Sequence, residues 1–451
     1  MLDYAAIAHA VGGRLERGTG GSPARVVHDS REVAPGDLFV ALKGERTDGH
    51  LHLAGAFARG AGGAIVSDAS CVPPEAHDLV VVADTRLALW NLAKTWRAGL
   101  NATFVGITGT CGKTTTKELL AHLAAGERET FAVQGSYNTD VGLPLSLLAM
   151  PATARVGVFE IGAGAPGEIA PLARLLAPDV AVVTLVGRGH LAGFGDVATV
   201  AAEKWALVRA LPQGGTAVVN ADSAELLPLL ATWRGNAVTF GTASGTLRGR
   251  LIADGPPLVV EAGPPPLSLT SPLVGRHNLT NLLAAVGAAL AVGVSPRVIE
   301  ERAATFVPPP HRLRLLAAPF GAVLDDTYNA NPESTRAALE ALAGLDLGTA
   351  RRAFVFGEMR ELGTDAARCH DEVLGLALRL GVRPIFPVGG EAVAAARRAE
   401  RGARPGTFVF VRREDLPRRI LELVSGERTL LLVKGSHLLA LDQVVDALLQ
   451  S

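Results

Sequence analysis

The sequence predicts an α/β protein of three consecutive domains, the second built on a doubly wound parallel sheet and the third Rossmann-like. Two observations carry that expectation. Short β-branched runs alternate with alanine- and leucine-rich helical stretches, first over 98–309 and again over 311–451, the pattern of parallel βα units. Pro308-Pro309-Pro310 interrupts the two series and reads as a linker. The expected domains are therefore 1–97, 98–309 and 310–451.

In the first, short strands and helices alternate around a polar loop at 43–50, with tight turns at Asp29-Ser30-Arg31 and Pro35-Gly36-Asp37. In the second, strands are expected at 104–108, 156–161, 180–186 and 217–220, with ligands at their carboxyl ends. Between 247 and 272 the period shortens to strands with proline turns, a small antiparallel excursion. In the third, strands are expected at 322–324, 353–356, 384–388, 408–411 and 430–433.

The most informative stretch is Thr103-Phe-Val-Gly-Ile-Thr-Gly-Thr-Cys-Gly-Lys-Thr-Thr-Thr116. A strand stops at Gly109, and Gly112-Lys113-Thr114 opens a helix through Ala125. Glycines there let backbone N–H groups converge on an anion at a helix N-terminus. Lys113 then reaches the β- and γ-phosphates, and the Thr114 hydroxyl suits Mg²⁺. Ile107 occupies the first glycine position of the longer eight-residue pattern, so the motif is the shorter Gly-x-x-Gly-Lys-Thr. A chance glycine turn is the bland alternative, but strand before and helix after favour a nucleoside triphosphate.

Bulk properties narrow the class. Net charge is −1 and the pI about 6.8, which gives no electrostatic case for nucleic acid or an anionic membrane. Three scattered cysteines form no C-x-x-C pair. The first residues lack a signal-peptide pattern, and the longest apolar stretch, 282–294, is short of a membrane span. The expectation is a cytoplasmic protein without stable membrane insertion, acting as a monomer.

Only six of the 43 basic residues are lysine, which singles out Lys204 and Lys434. Lysine, unlike arginine, can lose its proton when buried. In the helix expected over 197–211, positions 197, 200, 201, 204, 208 and 211 form one stripe, apolar except for Lys204. Snorkelling along apolar surface is the ordinary explanation. A neutral amine that adds CO₂ to give a metal-ligating carbamate is the functional one.

Glu160 ends an apolar strand beside the phosphate loop, where a carboxylate suits Mg²⁺ better than it suits a core. His190 lies in a glycine-rich loop after the third central strand, either structural or in contact with metal or phosphate. Asn278 is a helix N-cap or an adenine contact, and the residues alone do not choose. Asn331 before Pro332 is a natural N-cap, but that leaves Asp325, Asp326 and Asn329 beyond a strand end, positions suited to a ligand.

These motifs, in order, resemble the Mur ligase family over essentially the whole chain. The resemblance runs through Asp29-Ser-Arg-Glu, Asp48-Gly-His50, Gly109-Thr-Cys-Gly-Lys-Thr-Thr115, Gly135-Ser-Tyr-Asn138 and Glu160-Ile-Gly-Ala-Gly. It continues with His190-Leu, Lys204, His277-Asn278, Asp325-Asp-Thr-Tyr-Asn-Ala-Asn-Pro332, Phe356-Gly-Glu-Met-Arg-Glu-Leu-Gly363 and Val433-Lys-Gly-Ser436. Within the family it is most similar to the branch that joins UDP-N-acetylmuramoyl-tripeptide to D-Ala-D-Ala through an acyl phosphate. The first domain would then bind the uridine nucleotide, the second ATP and the third the amino substrate.

Carried over by position, the resemblance implies ATP on Gly109, Thr110, Cys111, Gly112, Lys113, Thr114 and Thr115, with Asn278 at adenine, Arg312 at phosphates and Asp326 at ribose. It implies Mg²⁺ on Thr114 and Glu160, with His190 and a carbamylated Lys204 at a second metal. Lys113, Glu160, His190 and Lys204 would be catalytic. Ser30, Arg31 and Asn138 would hold the precursor, Asn329 and Asn331 the dipeptide. Ala165, Ala192, Gly187 and Gly189 depart from the common pattern. A folylpolyglutamate-type ligase or an earlier Mur step is the alternative enzyme, and a non-catalytic nucleotide-dependent binding protein the alternative of another class.

Overall fold

The computed structural model describes residues 2–450 apart from 45, 46, 75, 134, 136, 190, 349, 350, 425 and 426. Its strands form three sheets.

The first sheet comprises β1 (Arg14–Glu16), β2 (Val26–Val27), β3 (Leu38–Val40), β4 (Gly63–Val66) and β5 (Leu79–Val81) in the order β1-β5-β4-β3-β2. Only β1 runs antiparallel to its neighbour. The second comprises β6 (Thr103–Thr108), β7 (Thr130–Ala132), β8 (Val156–Glu160), β9 (Val180–Val183), β10 (Thr216–Asn220), β11 (Asn236–Gly241), β12 (Leu247–Ala253), β13 (Leu258–Gly263) and β14 (Leu267–Ser271). Their order is β14-β13-β12-β11-β10-β9-β6-β8-β7, and β12–β14 form the antiparallel excursion expected over 247–272. The third comprises β15 (Arg314–Ala318), β16 (Gly321–Asp326), β17 (Arg351–Gly357), β18 (Ile385–Val388) and β19 (Thr429–Lys434) in the order β15-β16-β19-β17-β18.

Backbone contacts divide the chain into two compact units. One contains Met1–Gly106, Arg128–Gly162 and Glu168–Pro178; the other contains Ile107–Glu127, Ala163–Gly167 and Asp179–Ser451. In the first unit, Asp84 starts the helix Thr85–Ala98 by accepting from the N–H groups of Arg86 and Leu87 at 2.8 and 3.0 Å. Such a cap contributes about 1 kcal/mol. Phe104 stacks on Phe159 with centroids 6.1 Å apart, and the Arg97 guanidinium covers the Phe104 ring at 3.6 Å.

In the second unit, the third sheet is apolar on both faces, as a sheet covered by helices on each side must be. Leu324, Phe354, Phe356, Leu430 and Leu432 pack on one face with the helices Pro332–Gly344 and Ala366–Arg379. Val323, Val355, Phe386, Leu431 and Val433 pack on the other with Leu416–Val424 and Asp442–Leu449. Adjacent residues thus face opposite ways, the two-residue period of a strand. Parallel β16, β19 and β17 end together at Asp326, Lys434 and Gly357, leaving their carboxyl ends to the loops that follow.

One expected strand is absent: 408–411 is not a ladder. Phe408 makes a single bridge to Ile385, supported by backbone bonds from Ile385 N to Thr407 O and from Val409 N to Ile385 O. Its aromatic residues are engaged elsewhere, Phe410 lying under the Arg397 guanidinium at 3.6 Å.

Candidate active site

The phosphate loop has the geometry its glycines require. β6 ends at Thr108 and the helix Lys113–Ala124 starts after Gly112, whose φ is +84°. A Cβ at Gly112 would lie 2.1 Å from Asn281 Oδ1, and one at Gly109 (φ +151°) 2.0 Å from Thr184 Oγ1. Both positions therefore demand glycine for space as well as for conformation. Lys113 folds its Nζ back to Gly109 O at 2.8 Å, over the loop it would share with phosphate. Thr110 Oγ1 accepts from Gly187 N at 3.0 Å, and Thr114 and Thr115 are buried on the first turn. A glycine turn into a helix N-terminus, with a lysine and a hydroxyl on its first turn, fits a polyphosphate.

Cys111 in the same loop contacts the Asn331 side-chain amide, with Sγ 3.3 Å from its nitrogen. Burial holds its thiol above the usual range, so it sits there as a neutral group. Gly187 and Gly189, departures from the family pattern, gain a reason here. A Cβ at 187 would lie 3.0 Å from the Glu333 side chain, and one at 189 would lie 2.6 Å from Thr110 Cγ2. Between them Arg188 bonds Glu333 Oε1 through its backbone N–H at 2.9 Å and pairs with Glu372 at 3.0 Å.

Asn278 is not an N-cap. The helix His277–Ala291 has Arg276 at that position, and Asn278 is buried on the first turn. Its Nδ2 donates to Val274 O at 2.7 Å and its Oδ1 accepts from Asn281 at 2.8 Å. Asn278 thus steadies Asn281, the residue that packs against Gly112.

Arg312 reaches the first turn of the phosphate-loop helix, its Nη2 donating to Thr114 Oγ1 at 2.8 Å. Asp326 ends β16, its Oδ1 accepting from Leu313 N at 3.1 Å and its Oδ2 from Lys434 Nζ at 2.6 Å. Lys434, only 2% exposed, also donates to Asn329 O at 2.8 Å. Asn331 caps the helix Pro332–Gly344 in a reciprocal capping box with Ser334. A cavity of about 290 Å³ opens beside this cluster, lined among others by Asn329, Asn331, Arg360, Ser436 and His437. Sequence reasoning placed none of Arg360, Ser436, His437 or Lys434 in the site. The scarcity of lysine pointed at Lys434, and the motifs 356–363 and 433–436 contain Arg360, Lys434 and Ser436.

In the first unit, Glu160 is 4% exposed and accepts from Asn138 Nδ2 at 2.7 Å. Asn138 is held in turn by its carbonyl, which accepts from Gly162 N at 3.0 Å. Arg31 is splayed over Asp29, donating from Nε at 2.9 Å and Nη2 at 2.5 Å, which keeps the Asp29 carboxyl well below the usual range. Half-buried Ser30 lies between them. His50, buried, donates from Nδ1 to Asp48 at 2.6 Å and accepts from Ser67 N at 2.9 Å on Nε2.

Lys204 is 2% exposed on the helix Val197–Arg209, with Val200, Ala201 and Val208 buried beside it as the stripe requires. Its Nζ lies 3.4 Å from Ala163 O and 5.4 Å from the Phe194 ring centroid. Glu203, also buried, accepts from Gly167 N at 2.8 Å. His190 lies outside the described residues. Among the described residues no three His, Cys, Asp or Glu side chains converge as a metal cage. Thr114 and Glu160 each offer an oxygen of the kind Mg²⁺ adds to phosphate ligands.

A glycine phosphate loop with an arginine from a second βα sheet against its helix is the apparatus of a nucleotide-using α/β enzyme. The chain matches three domains in succession: the Mur ligase family catalytic domain over residues 24–97, the Mur ligase middle domain over 107–289 and the Mur ligase glutamate ligase domain over 311–437. It is 34% identical over 433 residues to the UDP-N-acetylmuramoyl-tripeptide--D-alanyl-D-alanine ligase of Escherichia coli, covering 94% of this chain and 93% of that one. The crystal structure of MurF from Acinetobacter baumannii superposes with a TM-score of 0.87 at 29% identity, covering 99% and 98% of the two chains. That of the Thermotoga maritima MurF ligase in complex with ADP gives 0.80 at 26% identity, covering 94% and 97%. The chain belongs to the Mur ligase family and is an ATP-dependent, ADP-forming ligase.

Proposed function

We propose that this ligase forms a peptide bond between UDP-N-acetylmuramoyl-tripeptide and D-alanyl-D-alanine in the cytoplasm, as a monomer, during peptidoglycan precursor synthesis. The observation that supports it most is full-length similarity to ligases of that name, 34% identity over 94% of the chain in the Escherichia coli case. The three family matches also support the division into a precursor domain (1–97), an ATP domain (98–309) and an amino-substrate domain (310–451).

The tripeptide's terminal carboxylate attacks the γ-phosphate, giving an acyl phosphate and ADP. The neutral dipeptide amine then attacks the acyl carbon, phosphate leaves with the bonding electrons, and the nitrogen gives up one proton to solvent. Two anions must meet in the first step, so the protein's task is mainly to offset charge. Lys113, the loop N–H groups and Arg312 serve the transferring phosphate. Asn278 contacts adenine and Asp326 the ribose, while Asn281 shapes the wall beside Gly112. Thr114 and Glu160 would each offer Mg²⁺ an oxygen, and His190 and Lys204, the latter as a carbamate, would serve a second cation; bound metal would supply further positive charge. Ser30, Arg31 and Asn138 serve the UDP-linked substrate, and Asn329 and Asn331 present the dipeptide.

Phosphate release in the presence of ATP should require both the tripeptide precursor and D-Ala-D-Ala. Release that proceeds with a folate and glutamate, or with one amino acid on a shorter precursor, would replace this reading with another family activity. ATP binding without turnover on any such pair would make the chain a binding protein.

A further inference from the structure

We infer that Lys434 couples nucleotide binding to dipeptide binding, which rests on assigning Asp326 to the nucleotide and Asn329 to the dipeptide. Lys434 is the last residue of β19, the middle strand of its sheet, in register with Asp326 on β16 and Phe356 on β17. In a chain that carries its positive charge almost entirely on arginine, a lysine 2% exposed at this position is specific.

Its ammonium donates to Asp326 Oδ2 at 2.6 Å and to Asn329 O at 2.8 Å. Asp326 Oδ1 at the same time accepts from Leu313 N, the residue after Arg312, at 3.1 Å. The Arg312 guanidinium lies 3.7 Å over the ring of Tyr328, the residue before Asn329. One compact cation thus joins the strand end that carries Asp326 to the loop that carries Asn329, and Ser436, two residues on, lines the cavity beside that loop. An ammonium suits this because its donors can point at two acceptors of different direction, whereas a guanidinium is a rigid planar fork.

A buried ammonium held by one carboxylate and one carbonyl tolerates little displacement of either. When the nucleotide fixes Asp326, Lys434 is fixed, and the Asn329 carbonyl with it. The dipeptide then meets a loop already ordered, and the conformational cost of its binding falls. Linkage makes the effect reciprocal.

The test titrates D-Ala-D-Ala calorimetrically into full-length protein saturated with the tripeptide precursor, with and without a non-hydrolysable ATP analogue. The wild-type protein should bind dipeptide about five- to 150-fold tighter with the analogue present, the usual span of such couplings. In K434M both ligands should still bind, but the ratio should fall to about one. K434Q, able to donate to one acceptor, should retain part of it, and decides the matter if K434M does not fold. A wild-type ratio of one, or an undiminished ratio in the variants, overturns the inference; a general loss of packing would weaken both ligands without changing the ratio. No dipeptide binding by the wild-type protein under any condition would instead overturn the proposed function.

Discussion

Arg312 and Thr114, 198 residues apart, meet at 2.8 Å, guanidinium Nη2 to hydroxyl Oγ1. The contact sets a cation from the segment just before β15 at the first turn of the phosphate-loop helix, where a nucleotide's charge would concentrate. Arg312→Ala should raise the ATP KM at least about tenfold, since a hydrogen bond to a charged group contributes about 1.5–3 kcal/mol net. The precursor KM should change little, because Ser30, Arg31 and Asn138 belong to other segments. Initial rates with each substrate varied in turn check this, and an unaltered ATP KM would remove Arg312 from the phosphate site.

Gly112→Ala should be worse than an ordinary glycine substitution. Its φ of +84° is already unfavourable for a side chain, and the new Cβ would press on Asn281 Oδ1 at 2.1 Å. Gly214 is the control, with φ +87° and nothing within 4 Å of its Cβ position. Gly214→Ala should lose about 1 kcal/mol for backbone strain alone. Gly112→Ala should lose more and should also lose ADP affinity. Equal melting temperatures and intact ADP binding in both variants would contradict the steric account of the loop.

The parts of the fold and site that were legible in the sequence are local ones. Strand, glycine turn and helix at 103–124 follow from neighbouring residues. So does the buried stripe of Val200, Ala201, Lys204 and Val208, which one helical period fixes. The misread parts depend on distant partners. Asn278 stands open in the sequence between a cap and an adenine contact; the helix starts one residue earlier, which removes the cap, and its amide meets Val274 and Asn281. The 408–411 run has strand composition, yet its ring contacts leave it a single bridge. Gly187 and Gly189 depart from the common pattern where Glu333 and Thr110, distant in sequence, stand against them. No sequence period announces the meeting of Asp326 with Lys434, 108 residues later.

His277 should set an acid limit on stability. Burial, opposed by nearby Asp326, lowers its pKa to about 4. Its ordinary value is about 6.5, so below that pH the unfolded chain takes up a proton that the folded chain refuses. Stability should therefore fall between about pH 6.5 and 4, level off below, and be unaffected by this group above 6.5. The loss approaches about 3 kcal/mol at most, at 1.36 kcal/mol per unit. His277→Gln should remove that part of the decline, so its urea midpoint relative to the unmodified chain should improve between pH 7 and pH 4.5. A constant difference between the two proteins across that range would show that His277 does not titrate on unfolding.

Lys204 carries the last prediction, carbamylation. Its helix offers a stripe of apolar residues with this one amine in it, and its Nζ stands 3.4 Å from Ala163 O and 5.4 Å from the Phe194 ring. An ammonium there would repel Mg²⁺, whereas a neutral amine can attack CO₂, forming an N–C bond and releasing a proton. The resulting carbamate is a hard oxygen ligand of the type Mg²⁺ prefers. Lys204→Ala should be nearly inactive, Lys204→Glu should recover part of the activity, and short carboxylic acids should rescue the alanine variant by filling the vacated position. A readout independent of turnover exists as well. Protein equilibrated with ¹³C-bicarbonate should show a carbamate carbon resonance that Lys204→Ala lacks. If the two spectra match and Lys204→Glu is as inactive as Lys204→Ala, the lysine acts as an unmodified amine, and the metal's anionic ligand must be sought elsewhere.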